Sequence, residues 1–444
     1  MRIPTPKELL GFLDEAGRQL LEAPIYNAGI ALYRNGVKFA SLNNGKAKKL
    51  TDGQKEVWSH LQECFAPTDR IIWIHAASLG EFEQGRPLIE LIRQRNPEYK
   101  ILLTFFSPSG YEVRKDYKGA DCVCYLPFDT AGNAKRFVET VRPEKAIFVK
   151  YEIWRNYLHE LYRHQVPTYL ISAVFRPDQI FFRRGGSWYA AWLKWYTRIF
   201  VQDSRSKTLL ESVRVTDVDV TGDTRFDRVA EIEANRKDIP ELQAFTRHGA
   251  PDALPVMMAG SSWPADEDVY AGWFDAHPDV KLVIAPHEFN DERLDSLRER
   301  FRNGACLLSE LRKDPAAADG KQVLIMDCFG LLSSSYHYCD VAYVGGAFGA
   351  GLHNINEAAV YGVPVIYGPN NRKFIEAAEL ATLGGGIEIS DKAGFELWAD
   401  RLFHDPAERK KRGRWAAEYI QEKIGATQKV YDSIFGNRHP KTDM

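Results

Sequence analysis

The sequence predicts an α/β fold of two doubly wound domains, each a parallel sheet with helices on both faces. Short apolar runs alternate with helix-length segments from residue 70 onward, and this alternation stops and restarts once. The runs are rich in Ile, Val and Phe and close with polar, Gly or Pro residues, which is typical of buried parallel strands. A chain of 444 residues is long enough for two such domains.

The first domain is expected to contain seven strands joined by crossover helices. These strands are predicted at Ile71–His75, Ile101–Phe105, Cys122–Leu126, Ala146–Val149, Thr168–Ile171, Ile199–Val201 and Val218–Val220. The stretch Ile232–Pro255 is polar, contains three prolines and has no clear strand, so we interpret it as the connection between the domains.

The second domain repeats the pattern with six predicted strands. They are Val256–Ala259, Val280–Ala285, Val323–Met326, Val341–Val344, Val363–Tyr367 and Gly386–Ile389. We expect domains at 1–235 and 236–425, and a helix and tail at 426–444 that packs back on the first domain. Because ligands of open α/β sheets bind at the carboxyl ends of the strands, both domains should present loops to a cleft.

The composition excludes several classes of protein. Hydrophobic residues are 45% and charged residues 27%, which indicates an ordinary globular chain. The formal net charge of -2 argues against a nucleic-acid partner. No secretory signal pattern and no run of 18 apolar residues is present.

The six cysteines appear scattered, without a CxxC pair or a histidine at zinc-ligand spacing, so we expect buried, reduced thiols. They are Cys64, Cys122, Cys124, Cys306, Cys328 and Cys339.

An amphipathic helix is predicted at Ile25–Leu42. One helical stripe would carry apolar residues flanked by basic ones, namely Tyr26, Ile30, Tyr33 and Val37 beside Arg34 and Lys38. Such a helix could lie in a membrane interface, with its basic residues toward anionic lipid. The alternative, which the pattern alone favours, is a helix packed on its own domain.

The first candidate site is His75–Glu81, which follows the first predicted strand. Glu81 stands near the carboxyl end of that strand, where a carboxylate could act as a general base. Ser78 and Glu81 also have the S-x-x-E spacing of a helix capping box, and this segment alone favours plain capping.

A second carboxylate, Glu152, follows the strand Ala146–Val149 and is expected to face the same edge of the sheet. The alternative is an ordinary glutamate at a helix start, favoured by the helix dipole or paired with Arg155.

Three segments of the second domain suggest a site for a phosphate. Gly260, Ser261 and Ser262 follow its first strand and could donate hydrogen bonds to a phosphate or simply cap a helix. Pro286 and His287 follow the next strand, where His287 could contact a phosphate or simply end the strand.

The third segment, Gly345–Ala359, is the most specific. It is expected to lead from a strand into a helix N-terminus that suits one phosphate, and the alternative is a plain glycine-rich loop. Its pattern matches neither a dinucleotide fingerprint nor a P-loop, which argues against nicotinamide and P-loop ATPase chemistry. The candidate ligand-binding residues here are Gly349, Gly351, His353, Asn354 and Glu357.

Taken together and in this order, these motifs resemble the 3-deoxy-D-manno-octulosonate (Kdo) transferases, GT-B glycosyltransferases that act on lipid A precursors. The resemblance runs from about Ile25 to Phe435. Its landmarks are the segment beginning at His75, Ser107–Gly110, Tyr125–Asp129, Glu152–Trp154, Gly222–Asp227, Gly260–Ser262 and Gly351–Glu357.

The resemblance implies an inverting transfer of Kdo from CMP-Kdo to a lipid A precursor at the cytoplasmic face of the bacterial inner membrane. Glu81 would be the catalytic base and Glu152 a second functional carboxylate. The acceptor would meet Ser78, Gly80, Ser107 and Ser109. The donor would meet Gly260, Ser261, Ser262, Pro286, His287, Gly349, Gly351, His353, Asn354 and Glu357.

No cofactor and no catalytic metal are expected. The chain has two D-x-D spacings, Asp217 with Asp219 and Asp266 with Asp268, but neither lies at a strand's carboxyl end. A helix N-terminus together with His353, Asn354 and Ser261 could instead stabilise the CMP leaving group.

The chain departs from the family pattern at four places. His287 stands where many relatives have Arg, and Ser172 stands where Asn is usual. Asp266-Glu267 replaces a Glu-Glu pair, and Gly351-Leu352 replaces a Gly-Gly pair.

Two other functions remain open. One is another GT-B enzyme, such as a UDP-sugar transferase or a UDP-sugar 2-epimerase. The other is a non-catalytic sugar- or lipid-binding protein, which would not need the carboxylate base.

Overall fold

The computed structural model describes residues 15–183 and 186–436, which form two compact units. The first unit contains the described residues up to Arg228 together with those from Gly425 on, and the second is Val229–Ile424. The boundary between the two units lies between Arg228 and Val229, within one helix. It therefore precedes residue 235, the end of the first domain predicted from the sequence.

The first unit is built on a seven-stranded sheet in which every pair of neighbouring strands is parallel. The strand order is β3-β2-β1-β4-β5-β6-β7. The strands are β1 Ile71–His75, β2 Lys100–Phe105, β3 Cys122–Tyr125, β4 Lys145–Val149, β5 Thr168–Ala173, β6 Arg198–Val201 and β7 Val218–Val220. The seven predicted strands are therefore confirmed, with ends shifted by at most two residues.

Helices cover both faces of this sheet. They are α1 Glu15–Ala40, α2 Gly45–Cys64, α3 Leu79–Arg95, α4 Pro108–Arg114, α5 Ala131–Val141, α6 Arg155–Arg163, α7 Ser187–Leu193 and α8 Ser204–Ser212, with a 3₁₀ turn at Ile180–Phe182. An aromatic core around Trp73, Phe137 and Phe148 fills one face, and Phe82 and Phe105 belong to the core on the other.

The second unit also has a seven-stranded parallel sheet, in the order β10-β11-β9-β8-β12-β13-β14. Its strands are β8 Val256–Ser262, β9 Lys281–Pro286, β10 Ala305–Leu307, β11 Val323–Ile325, β12 Val341–Val344, β13 Val365–Tyr367 and β14 Gly386–Glu388. The sequence predicted six of them and missed β10, whose three residues are too few to show a pattern. The two-sheet α/β fold class is confirmed.

The remaining helices include α9, which spans the boundary between the units. They are α9 Arg225–Ala234, α10 Pro240–Thr246, α11 Pro264–Ala276, α12 Asp291–Glu299, α13 Leu308–Lys313, α14 Leu332–Ser335, α15 Asn356–Ala359, α16 Ile375–Leu383, α17 Lys392–His404, α18 Pro406–Lys423 and α19 Ala426–Phe435, with 3₁₀ turns at Pro315–Ala318 and Tyr336–Tyr338.

The C-terminal helix α19 lies against α3 of the first unit. The Tyr431 hydroxyl donates to Asn96 Oδ1 at 2.6 Å, and Val430 and Ile434 enter the core. Asp227 holds the start of α19 because its carboxylate accepts hydrogen bonds from the backbone of Gly425 and from Thr427.

Helix α1 is continuous through Gly29 and Gly36, and two of its faces are apolar. The stripe identified from the sequence largely faces the protein: the Tyr26 hydroxyl donates to buried Asp129 at 2.6 Å, and Val37 packs on the core. The opposite face exposes large apolar side chains instead, with Leu32 75% and Phe39 77% exposed. For this stripe the alternative that the pattern alone favoured, a helix packed on its own domain, is therefore confirmed, whereas the second exposed apolar face was not predicted.

Candidate functional site

Glu81 occupies the third position of α3, directly after β1. Its Oε2 accepts a hydrogen bond from the Ser78 backbone N–H at 2.9 Å and one from the Ser78 hydroxyl at 3.0 Å. The capping geometry expected from the S-x-x-E spacing is therefore present. It fixes the carboxylate at the carboxyl end of β1, an inner strand of the sheet.

Glu152 is brought to the same edge by the turn after β4. Lys150 adopts a left-handed conformation with φ 71°, which redirects the chain between β4 and α6. Glu152 Oε2 then lies 3.1 Å from His75 Nε2 and accepts a hydrogen bond from the Trp154 indole at 2.5 Å. The pairing with Arg155 that the sequence left open is not made, since the Arg155 guanidinium donates to Asn156.

His75 is fully buried at the end of β1, and its other ring nitrogen lies 2.9 Å from the Thr104 hydroxyl. This contact fixes the ring that holds Glu152. No role was predicted for His75 itself, although it begins the candidate segment His75–Glu81.

The charge of Glu152 acts on the Glu81 carboxyl. Burial, and then the charge of Glu152, raise the pKa of the Glu81 carboxyl, while the hydrogen bonds from Ser78 and the nearby His75 act in the opposite direction. A carboxylate with a raised pKa is a stronger base once ionised, which suits proton abstraction from a hydroxyl.

The predicted acceptor-binding residues surround Glu81. The Ser107 N–H donates to the Ala77 carbonyl at 2.7 Å, which draws the turn after β2 against the loop that carries Ser78. The Ser107 and Ser109 hydroxyls lie 2.9 Å apart. No neighbouring atom of the described residues lies within 4 Å of a Cβ placed on Gly80, so the space above it is open.

A cavity of about 480 Å³ lies at the carboxyl ends of the strands of the second sheet. Six of the ten predicted donor-binding residues line it, namely Ser261, Pro286, His287, His353, Asn354 and Glu357. Its size and its mixture of aromatic and polar walls are typical of a small-molecule site.

Close backbone packing shapes this cavity. Ser261 adopts φ 51°, and a Cβ on Gly345 would lie 2.3 Å from the Ser261 carbonyl oxygen. Buried Asp266 joins the two loops, because it accepts hydrogen bonds from the Trp263 and Gly346 backbone N–H groups, both at 2.9 Å. Asp266 thus holds the loops in place.

Two of the residues that line the cavity are histidines, His287 and His353, and both contact the Trp263 indole. His287 stacks on Trp263 with ring centroids 4.7 Å apart and lies 4.4 Å from His353. The Trp263 indole donates to His353 Nε2 at 3.2 Å. Burial, and then His287, lower the pKa of His353, so the neutral ring carries its proton on Nδ1 as an N–H donor.

Glu357 lies on the opposite part of the lining and is already hydrogen-bonded. The Asn354 amide donates to one of its oxygens at 3.0 Å and the Ser333 hydroxyl to the other at 2.5 Å. These contacts orient the carboxylate beside the cavity, where it can accept further hydrogen bonds.

The other four donor-binding candidates are placed differently. The Ser262 hydroxyl is buried against Tyr270 at 2.8 Å. Gly260 lies beneath the Tyr336 hydroxyl, where a Cβ would come within 1.9 Å. Gly349 and Gly351 shape the turn of the loop through backbone hydrogen bonds to Gly346.

The expected phosphate site at a helix N-terminus needs correction. The helix after the glycine loop, α15, has only four residues and begins after a long irregular segment. So short a helix sums few peptide dipoles, and therefore side chains provide most of the polar groups here.

Sequence reasoning missed Phe329, Ser333 and Tyr336 of the cavity lining. All three come from the segment between β11 and β12, which has no glycine motif to mark it. Phe329 is 74% exposed and stacks on Phe289 at 4.7 Å.

Comparison with known proteins agrees with this geometry. Residues 46–228 match the family model of the 3-deoxy-D-manno-octulosonic-acid transferases. The chain is 24% identical to the 3-deoxy-D-manno-octulosonic acid transferase of Haemophilus influenzae, covering 89% of this chain and 94% of that protein. It is 27% identical to the transferase of Bordetella pertussis, covering 83% and 88%.

Among solved structures, the fold is similar to that of UDP-GlcNAc 2-epimerase from Neisseria meningitidis. The TM-score is 0.58 at 14% identity, over 83% of this chain and all of that one. This likeness concerns the fold alone. The chain is therefore similar to the 3-deoxy-D-manno-octulosonic acid transferases over most of its length, and it is a glycosyltransferase with the GT-B fold.

Proposed function

We propose that this enzyme transfers Kdo from CMP-Kdo to a lipid A precursor with inversion, using Glu81 as the general base. The observation that carries the proposal is the position of Glu81. It lies at the carboxyl end of β1 with a raised pKa, next to Glu152 and beside open space at Gly80.

On the acceptor side, the ionised Glu81 carboxylate takes the proton of the acceptor hydroxyl as that oxygen attacks the anomeric carbon of Kdo. The hydrogen bonds from Ser78 keep the carboxylate in one orientation. Glu152, fixed by His75 and Trp154, places a second negative charge near the reacting sugar, where an oxocarbenium-like transition state develops positive charge.

On the donor side, the cavity of the second unit is the proposed CMP-Kdo site. The His353 Nδ1–H and His287 are placed to donate to the phosphate or the carboxylate of the donor. Glu357 and Ser333 are suited to sugar hydroxyls. Phe329 presents an exposed aromatic face on which a base can stack.

The acceptor is a lipid, and helix α1 provides the proposed membrane contact. Its outer face exposes Ile25, Leu32 and Phe39, which are spaced seven residues apart and so share one side of the helix. The exposed basic residues Lys38 and Lys48 lie near the end of this face and suit an anionic surface. Among the described residues, no helix is long and apolar enough to cross a membrane.

The proposed location is the cytoplasmic face of the inner membrane.

The direct test incubates the purified enzyme with CMP-Kdo, generated in situ, and an acylated lipid A precursor, and follows the lipid by mass spectrometry. The proposal predicts a lipid heavier by one or more Kdo residues and release of CMP. A folded enzyme that leaves both substrates unchanged, yet converts a UDP-sugar, would replace this proposal with the UDP-sugar transferase or epimerase alternative.

A further inference from the structure

Three metal-binding side chains meet in the first unit. His60 and Cys64 lie one turn apart on α2, and Cys122 lies on β3. Their potential ligand atoms all lie within 4.8 Å of one another, and His60 Nε2 is 3.7 Å from Cys64 Sγ. The His-x₃-Cys spacing of His60 and Cys64 places both side chains on one face of α2.

A fourth ligand is adjacent. Cys122 and Cys124 are alternate residues of β3, so their side chains share the face of the sheet that α2 covers. The sulfur atoms of Cys122 and Cys64 lie within 4.8 Å of each other. Cys124 also lines the same cavity as His60. The set is therefore one histidine and three cysteines, a combination that structural zinc sites use.

The fold brings the helix unusually close to this strand. Gly53 of α2 packs directly on Tyr125, since a Cβ at Gly53 would lie 2.3 Å from the Tyr125 ring. This contact brings the last turn of α2 over the thiols. The strand concerned, β3, is the edge of its sheet, so a metal here would tie a helix to a sheet edge.

The surroundings favour a cation. The cavity beside the cluster measures about 230 Å³ and is lined by Glu56 and Glu63 in addition to His60 and Cys124. The two carboxylates provide a negative field and the cavity an entry path.

We propose that His60, Cys64, Cys122 and Cys124 form a structural zinc site that joins α2 to β3. In a tetrahedral site with Zn–S bonds of about 2.3 Å, neighbouring ligand atoms are roughly 3.5–3.8 Å apart. The measured separation of His60 and Cys64 already fits, and a movement of about 1 Å brings Cys122 into the same range. Each bound thiol loses its proton to solvent, and no electron is transferred.

The metal has a defined structural role. Helix α1, whose outer face is exposed, packs on α2, so a metal between α2 and β3 would brace this helix pair against the sheet. This inference does not rest on the proposed transferase activity, and its test reads metal binding alone.

The test titrates the full-length, fully reduced and metal-free protein with Co²⁺ under anaerobic conditions. We expect one equivalent to bind with the charge-transfer bands of thiolate ligation and the intense visible absorption of tetrahedral Co²⁺, and Zn²⁺ to displace it. Because the binding free energy is shared among the ligands, Cys64→Ser and His60→Ala should each weaken binding by on the order of 100-fold. His60 is only half-buried, so its variant is expected to fold.

The matched control is Cys328→Ser, because Cys328 is half-buried like Cys64 but lies in the second unit. It should keep the full spectrum. A folded, reduced wild type without thiolate bands would overturn the proposal, as would a Cys64→Ser variant that keeps them. A Cys64–Cys122 disulfide in the isolated protein, with no Co²⁺ uptake after its reduction, would replace the metal site with a redox pair.

Discussion

Glu81 lies beside Glu152, and burial together with this neighbouring charge raises the pKa of the Glu81 carboxyl. Helix-capping glutamates ordinarily gain from the helix dipole and from their hydrogen bonds, both of which favour the charged form. Here burial and a like charge outweigh the two hydrogen bonds from Ser78. The same residue therefore caps α3 and has a carboxyl whose pKa is raised, which suits it to act as a base.

Replacing Glu152 should move the pH dependence of the reaction. Glu81 works as a base only when ionised, so kcat/KM falls as the pH drops through its raised pKa. Glu152→Gln removes the like charge and lowers that pKa, and the acid limb of the pH–rate profile should shift to lower pH. The rate itself should also fall, because Glu152 is proposed to act near the reacting sugar.

The matched control is Glu160→Gln, since Glu160 is as buried as Glu152 but interacts with Arg163 on α6. The acid limb of the pH–rate profile of Glu160→Gln should lie at the same pH as that of the wild type. An unchanged limb in Glu152→Gln would mean that the two carboxylates are not coupled in the working enzyme.

Donor affinity should depend on His353. Its pKa lies below 6.5 in the free protein because of burial and His287, whereas an anionic donor favours the protonated ring and raises it. The KM for CMP-Kdo should therefore increase as the pH rises from the pKa of His353 in the free protein to its higher pKa in the donor complex. Loss of a hydrogen bond to a charged group in His353→Gln should raise KM by on the order of 10–100-fold and flatten its pH dependence.

Initial rates at varied donor concentration and pH measure this effect. His404→Gln is the control, because His404 is exposed on α17 and contacts only the Asp400 carbonyl among the bonds observed. Equal KM values for wild type and His353→Gln would remove His353 from the donor site.

The docking of α1 should depend on one buried hydrogen bond. Asp129 is buried and accepts hydrogen bonds from the Tyr26 hydroxyl and from the backbone N–H groups of Asn156 and Tyr157 in α6. These hydrogen bonds act to lower the pKa of its carboxyl, but burial outweighs them and raises the pKa to about 6. Tyr26→Phe should lower the free energy of unfolding by about 1.5–3 kcal/mol.

The sign of the pH effect follows from that pKa. The Tyr26 hydroxyl stabilises the ionised carboxylate, so the cost of Tyr26→Phe should be larger above pH 6 than at pH 5. Denaturant unfolding at both pH values measures this cost. Tyr33→Phe, on the half-exposed side of the same helix, should have little effect; a cost as large as that of Tyr26→Phe would contradict the assignment.

Membrane binding should depend on the outer face of α1. Each large apolar side chain that enters the lipid contributes about 1.5–3 kcal/mol, so Leu32→Asp with Phe39→Asp should weaken partitioning to anionic vesicles by at least about 100-fold. Sedimentation with vesicles measures partitioning. Leu397→Asp, at an equally exposed apolar residue of the second unit, should bind like wild type. An equal loss of vesicle binding in Leu397→Asp and in the double variant Leu32→Asp with Phe39→Asp would argue against a dedicated membrane-binding face on α1.

The strands were predictable because parallel strands are buried on both faces and therefore appear as continuous apolar runs. The positions of Glu81 and Glu152 at the ends of β1 and β4 followed from this topology. Their coupling did not, since it depends on burial and on the turn at Lys150. Ser172 shows the same limit, because the strand pattern did not indicate its left-handed φ of 52°.

Long-range side-chain arrangements were the least predictable features. The cavity of the second unit includes Phe329, Ser333 and Tyr336, which no local motif marks. The meeting of His60 with Cys122 joins two segments whose pairing depends on how closely α2 packs on β3. Periodicity alone could not decide which face of α1 meets the protein, because both faces are apolar.

The most direct test of the central claim compares Glu81→Gln with Glu310→Gln in the transfer of Kdo to a lipid A precursor. Glu310 is the matched control, because it occupies the same position at the start of α13 and accepts the Leu307 backbone N–H at 3.0 Å. Glutamine can accept the same backbone hydrogen bond at the start of either helix, so both variants should keep nearly the stability of the wild type. We expect Glu81→Gln alone to lower kcat by on the order of 10²–10⁴, the contribution of a general base. A folded Glu81→Gln enzyme that turns over like Glu310→Gln would contradict the account and leave Glu81 with its capping role only.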